Sequence, residues 1–132
     1  MKQTVPTSDG ITTKKGLVAP AMRAFFELAE AWSLNDQEQM KLLGLTSGAT
    51  LQSWRAGRVS GINRDTLERI SYLLGIFKAI NIQLPEQKRA DAWVRAPNKA
   101  PLFGGRSALD RMTAGNVGDL AVVRQYLDGQ LG

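Results

Sequence analysis

Apolar side chains recur every three or four residues along most of this chain, and no stretch alternates in the two-residue rhythm of a half-buried strand. Met22, Phe25, Phe26, Ala29 and Trp32 line one face of a first helix, expected to open at Pro20, whose fixed φ suits the first helical position. Asn35 followed three residues later by Glu38 is a capping-box pattern. It starts a second helix carrying Met40, Leu42 and Leu43, which Gly44 can end in the left-handed conformation. The turn Leu45-Thr46-Ser47-Gly48 leads into a third helix, with Leu51 and Trp54 one turn apart and Gly57 or Gly61 closing it.

A fourth helix is expected over residues 64–82, capped by Asn63, with Ile62 placed as a staple to Leu67. It carries two apolar stripes: Leu67, Ile70, Leu74 and Phe77, then Leu73, Ile76, Ile80 and Leu84. A surface helix needs only one such face. The second implies either a second core or a subunit interface, which makes Leu73, Ile76 and Ile80 candidate dimerisation residues. Pro85 opens a fifth helix running to Arg95, and the segment Ala96–Pro101 is barred from helix by its two prolines. Ser107, with Asp110 three residues on, caps a short helix stopped by Gly115. A last helix over residues 117–128 shows the stripe Val117, Leu120, Val123 and Leu127. The fold class is all-α. Residues 1–18 read as a polar arm without periodicity, 19–84 as a helix-turn-helix-like and dimerisation domain, and 85–132 as a small helical module for a protein partner.

Composition narrows the chemistry. The 132 residues include no cysteine and no histidine, which removes thiol chemistry, the commonest general base and the commonest metal ligand. The carboxylates do not gather in a pattern that argues for glycosidase-type catalysis, so no catalytic, metal or cofactor site is expected. The net charge of +5 is spread over both halves rather than gathered in a basic tail. No apolar run approaches the roughly eighteen residues of a membrane span, and residues 1–18 lack the apolar core of a secretory signal, so a cytoplasmic location is expected.

A short helix, a glycine-containing turn and a second short helix form the outline of a helix-turn-helix. In that reading Leu51 and Trp54 lock the recognition helix, while Thr50, Gln52, Ser53 and Arg55 face outward with Arg58 just beyond. These are side chains suited to base edges and phosphates. Arg64 and Arg69 are further candidate phosphate contacts. Two features depart from the usual motif: one extra residue between Gly44 and Leu51, and Met40 where a small residue commonly lets the helices approach. A helical hairpin of similar outline, serving as scaffold, fits the same pattern.

From Trp93 onward the sequence is denser in conformational signals than in chemistry. Trp93 is followed by Pro97-Asn98, Pro101, Phe103-Gly104-Gly105-Arg106-Ser107, Leu109-Asp110, Met112, Gly115, Asp119-Leu120, Arg124 and Tyr126-Leu127-Asp128. This string resembles the toxin-binding region of the Xre/MbcA/ParS family of bacterial antitoxins. The stretch Leu51, Trp54 and Gly57, then Leu67-Glu68-Arg69-Ile70-Ser71 and Leu73-Leu74-Gly75-Ile76, resembles that family's helical N-terminal domain, so the likeness covers residues 20–131. It implies a type II antitoxin whose partner is a RES-domain toxin, an enzyme that consumes NAD or uses it for ADP-ribosylation. The antitoxin would cover the toxin's NAD pocket, form a homodimer and repress its own operon at operator DNA. The resemblance places Trp93, Asn98, Phe103, Gly105, Arg106, Leu109, Tyr126, Leu127 and Asp128 in the toxin-binding site, with Pro97, Gly104, Asp110 and Gly115 also matching. Of these, Pro97, Asn98, Gly104 and Gly105 would shape the loop, Trp93, Leu109 and Leu127 would pack it, and Arg106, Tyr126 and Asp128 are most free to reach a partner. The tail Gln130-Leu131-Gly132 is small enough to enter a narrow pocket. Two rivals share these features: a stand-alone helix-turn-helix repressor without a toxin, and an interaction adaptor whose helix-turn-helix no longer binds DNA.

Overall fold

The computed structural model of the protein describes residues 11–12 and 15–131, with side chains from Val18 to Gln130. A two-residue strand, β1 (Ile11–Thr12), precedes helices α1 (Lys15–Ala31), α2 (Asp36–Leu43) and α3 (Gly48–Arg55). Strand β2 (Ile62–Asn63) then leads directly into α4 (Arg64–Gln83), followed by α5 (Gln87–Trp93), α6 (Ala108–Met112) and α7 (Val117–Leu131). The fold is all-α apart from the antiparallel pair β1–β2, in which Ile11 faces Asn63 and Thr12 faces Ile62.

Local signals place most helix ends. Asn35 accepts the Glu38 N–H while Glu38 accepts the Asn35 N–H, a complete capping box. Asn63 and Ser107 cap α4 and α6 through the N–H groups of Thr66 and Asp110. The first helix departs from expectation: it begins at Lys15, and Pro20 lies inside it. Val18, Met22, Phe25, Ala29 and Trp32 are all buried at alternating spacings of four and three, so the apolar face runs back past Pro20 to Val18. That burial offsets the single backbone N–H the proline lacks. Residues 11–12 and 15–18 therefore belong to the folded domain rather than to an arm, while residues 1–10 lie outside the described part.

Helix α4 is the central beam. It packs chiefly against α7 and also against α1, α2 and α5. This corrects the dimerisation expectation. Leu73, Ile76 and Ile80 are 0, 0 and 2 % exposed, so their stripe is spent on the chain's own core and offers nothing to a second subunit. The two-stripe pattern was real, but the second core belongs to α7, whose Leu120, Val123 and Leu127 are equally buried. Gly75 sits in the middle of α4 because the Arg124 guanidinium, paired with Asp128 at 3.1 Å, occupies the space a Cβ would need.

Candidate functional site

Two surfaces carry the predicted functional side chains, and both hang on α2. The first is the helix-turn-helix face. Gly44 ends α2 in the left-handed conformation with φ 75°, where a side chain would be strained and would meet Arg69 Nε. Ser47 caps α3 through the Thr50 N–H, and Leu51 anchors it in the core with no exposure. Trp54 is half-buried beside it. Gln52, Arg55 and Arg58 are exposed as expected, but Thr50 and Ser53 are only partly so. The Ser53 hydroxyl donates to the Arg58 carbonyl at 3.1 Å, closing the end of α3 rather than standing free.

Gln52 and Arg55 do not stand free either. Arg55 Nη2 donates to Asp36 Oδ1 at 2.8 Å and to Gln39 Oε1 at 3.1 Å, and its Nη1 donates to Gln52 Oε1 at 3.0 Å. Gln52 Nε2 donates to the other Asp36 oxygen at 3.1 Å. Gln39, itself buried, is fixed by a bond to the Leu34 carbonyl, and the Arg55 guanidinium lies 5.9 Å from the centre of the Phe26 ring. Arg69 is removed from the candidate phosphate contacts: it is 8 % exposed and its guanidinium is committed to Asp65 and to the carbonyls of Lys41 and Gly115. Arg64 remains on the surface.

The second surface is the C-terminal module. Residues 97–107 form a closed loop: Pro97 and Ser107 bridge antiparallel, the Asn98 N–H donates to the Arg106 carbonyl, and the Gly105 N–H donates to the Asn98 carbonyl. The Asn98 side chain accepts the Ala100 N–H at 2.9 Å, so it shapes the loop from within. Gly104 and Gly105 turn the chain with φ of 57° and 88°. An edge-to-face aromatic ladder ties the loop to its neighbours: Trp93 to Phe103 at 6.0 Å, then Phe103 to Tyr126 at 5.2 Å. Arg111 adds a polar tie, reaching Asp119 at 3.0 Å and the Leu102 carbonyl at 3.4 Å.

Burial sorts the expected partner contacts into two kinds. Phe103, Leu109 and Leu127 are at most 4 % exposed, so they hold the module together. Gly105, Arg106, Asp128 and Gln130 are exposed, and Trp93 and Tyr126 each keep an edge at the surface. The Arg106 side chain is 80 % exposed, with Asp110 3.7 Å away. The Leu131 side chain and Gly132 fall outside the described residues.

Two arginines that join the halves were not singled out in the sequence for that role. Arg95, two residues past α5, donates to the carbonyls of Trp32 and Ser33 and to both oxygens of Glu38. Burial pushes the Glu38 carboxyl upward, but the bonds from Arg95 and the Asn35 N–H, with the charges of Arg95 and Lys41, outweigh it and hold the pKa below its ordinary 4.5. Arg69 does the same at the other end of α2, spanning Lys41 and Gly115. A polar cleft of about 450 Å³ opens where Glu38 and Arg95 meet Arg106 and Asp110. Their sequence separations exceed anything a local pattern can signal.

Comparison with known proteins agrees with this division. The family model for the antitoxin Xre-like helix-turn-helix domain matches residues 12–75, and that for the antitoxin Xre/MbcA/ParS C-terminal toxin-binding domain matches residues 81–132. The chain belongs to the Xre/MbcA/ParS antitoxin family. It is a type II antitoxin with a helix-turn-helix domain and a toxin-binding domain, and its partner is a toxin. It is also 43 % identical over 115 residues to the uncharacterized protein y4oB of Sinorhizobium fredii (strain NBRC 101917 / NGR234), covering 87 % of each chain. No helix among the described residues of this antitoxin is long and apolar enough to cross a membrane.

Proposed function

We propose that this antitoxin neutralises a RES-domain toxin in the cytoplasm by covering the pocket in which that enzyme binds NAD, and that as a homodimer it represses its own operon at operator DNA. The observation that carries the first part is the aromatic ladder Trp93–Phe103–Tyr126, which joins the 97–107 loop and α7 into one rigid surface. A surface organised before contact binds without the entropy cost of ordering a loop. Arg106, the Tyr126 edge, Asp128 and Gln130 are its contacts with the toxin; arginine and tyrosine are enriched among interface hot spots. The last turn of α7, beyond Asp128, carries the chain toward the NAD pocket.

Operator binding rests on the exposed Gln52, Arg55 and Arg58 of the α3 region. Homodimerisation uses the outer side of α4, where Ile82 is 54 % exposed and is the one large apolar side chain left open among the described residues. Co-expression with the adjacent toxin, followed by cellular NAD and growth, tests the whole reading. Restored growth with normal NAD and a recoverable complex supports it; persistent toxicity with no complex refutes it. The tail is tested separately by a truncation that starts at Gly129, because one starting at Tyr126 would also remove the buried Leu127.

A further inference from the structure

The network around Asp36 has a property that neither the motif nor the family match assigns. Asp36 is the first residue of α2 and its side chain is 55 % exposed, on the same face as Gln52 and Arg55 of α3. One oxygen holds Arg55 and the other holds Gln52, while Arg55 in turn donates to Gln52. The three side chains thus close a ring on the face that would meet a duplex.

The ring dictates what that face displays. A free glutamine amide can turn either way, offering donor or acceptor to the same position. Here its nitrogen is drawn to a carboxylate and its oxygen to a guanidinium, so only one order is consistent with the charges. Arg55 is likewise restrained, by Asp36 on one side and by the buried, anchored Gln39 on the other. Meanwhile the carboxylate partly neutralises the arginine and itself repels phosphate. Such an arrangement weakens sequence-independent attraction, which depends on uncompensated cations, and favours a duplex whose base edges fit the fixed pattern.

We propose that Asp36 is a positioning residue for sequence discrimination: it fixes Gln52 and Arg55 for one base pattern and suppresses binding to other duplexes. This rests on the reading that α3 faces operator DNA. It assigns Asp36 no base or phosphate contact of its own. The carboxylate acts through its two neighbours, and its cost in general affinity is part of its role.

The test uses the full-length protein and a pool of randomised duplex DNA. Wild-type protein is first used to select a preferred duplex. Affinities for that duplex and for a scrambled one are then measured over a range of salt concentrations, for wild type, Asp36→Ala and Asp36→Asn. Both substitutions leave the Asn35–Glu38 cap in place, and thermal unfolding confirms the fold. With Arg55 released, the scrambled duplex should bind more tightly, with a salt slope steeper by about one charge. Discrimination should fall by about tenfold, the scale of one bidentate base contact. Unchanged discrimination and slope, or a parallel loss for both duplexes, would overturn the role of Asp36. A wild-type protein that enriches no duplex and binds none would instead remove the DNA-binding reading beneath it.

Discussion

Arg95 donates to both carboxylate oxygens of Glu38, at 3.0 and 3.3 Å, and Glu38 at the same time accepts the Asn35 N–H at 2.9 Å. A residue of the toxin-binding domain thereby braces the N-terminal cap of the first helix of the helix-turn-helix. With Arg69 bridging Lys41 and Gly115 at the other end, α2 is held to the C-terminal module at both its ends.

Glu38 gives this link a pH signature. Its folded pKa lies below the ordinary value of 4.5, so its contribution to stability is present above that value and is lost as pH falls through the folded pKa. The stability difference between wild type and Glu38→Gln, from urea unfolding, should be full at pH 7 and shrink as pH drops below 4.5. A difference independent of pH would show that the charged pair adds nothing.

The buried stripe of α4 and its proposed dimer face can be tested separately. Leu73→Ala should lower stability by about 2–5 kcal/mol, the usual range for a fully buried leucine, without altering the oligomeric state of the protein that remains folded. Ile82→Asp, on the exposed side, should reduce dimer formation in sedimentation experiments and leave stability within about 0.5 kcal/mol when compared as monomer. The reverse pattern would restore the inner stripe as the interface.

The toxin surface divides in the same way. Phe103→Ala removes the middle of the aromatic ladder and should cost about 3–5 kcal/mol of stability, measured by denaturation. Arg106→Ala should leave stability within about 0.5 kcal/mol, yet weaken toxin binding by about 2 kcal/mol in calorimetry if it is a hot spot. Toxin affinity unchanged by Arg106→Ala would move the contact elsewhere on the module.

Helix order and most helix ends were legible because the signals are local. Asn35 with Glu38, Asn63 and Ser107 each cap a helix through an N–H three residues away, and Gly44 takes the left-handed turn its position suggested. The start of α1 lies before Pro20 because the apolar register running back through Val18 outweighs the proline's local signal. The double stripe of α4 was seen, but periodicity cannot say whether a second face meets α7 or another chain. The contacts that make the site were not legible at all. Asp36 reaches Arg55 across 19 residues and Arg95 reaches Glu38 across 57, pairings that depend on how the helices pack.

The most direct test of the proposed mechanism is the rate of NAD consumption by the purified RES-domain toxin, measured across NAD concentrations with increasing antitoxin. Occlusion of the pocket predicts that the antitoxin and NAD exclude one another, with inhibition relieved as NAD rises and lessened when residues 129–132 are removed. A tight complex in which the toxin still consumes NAD at its full rate would contradict it.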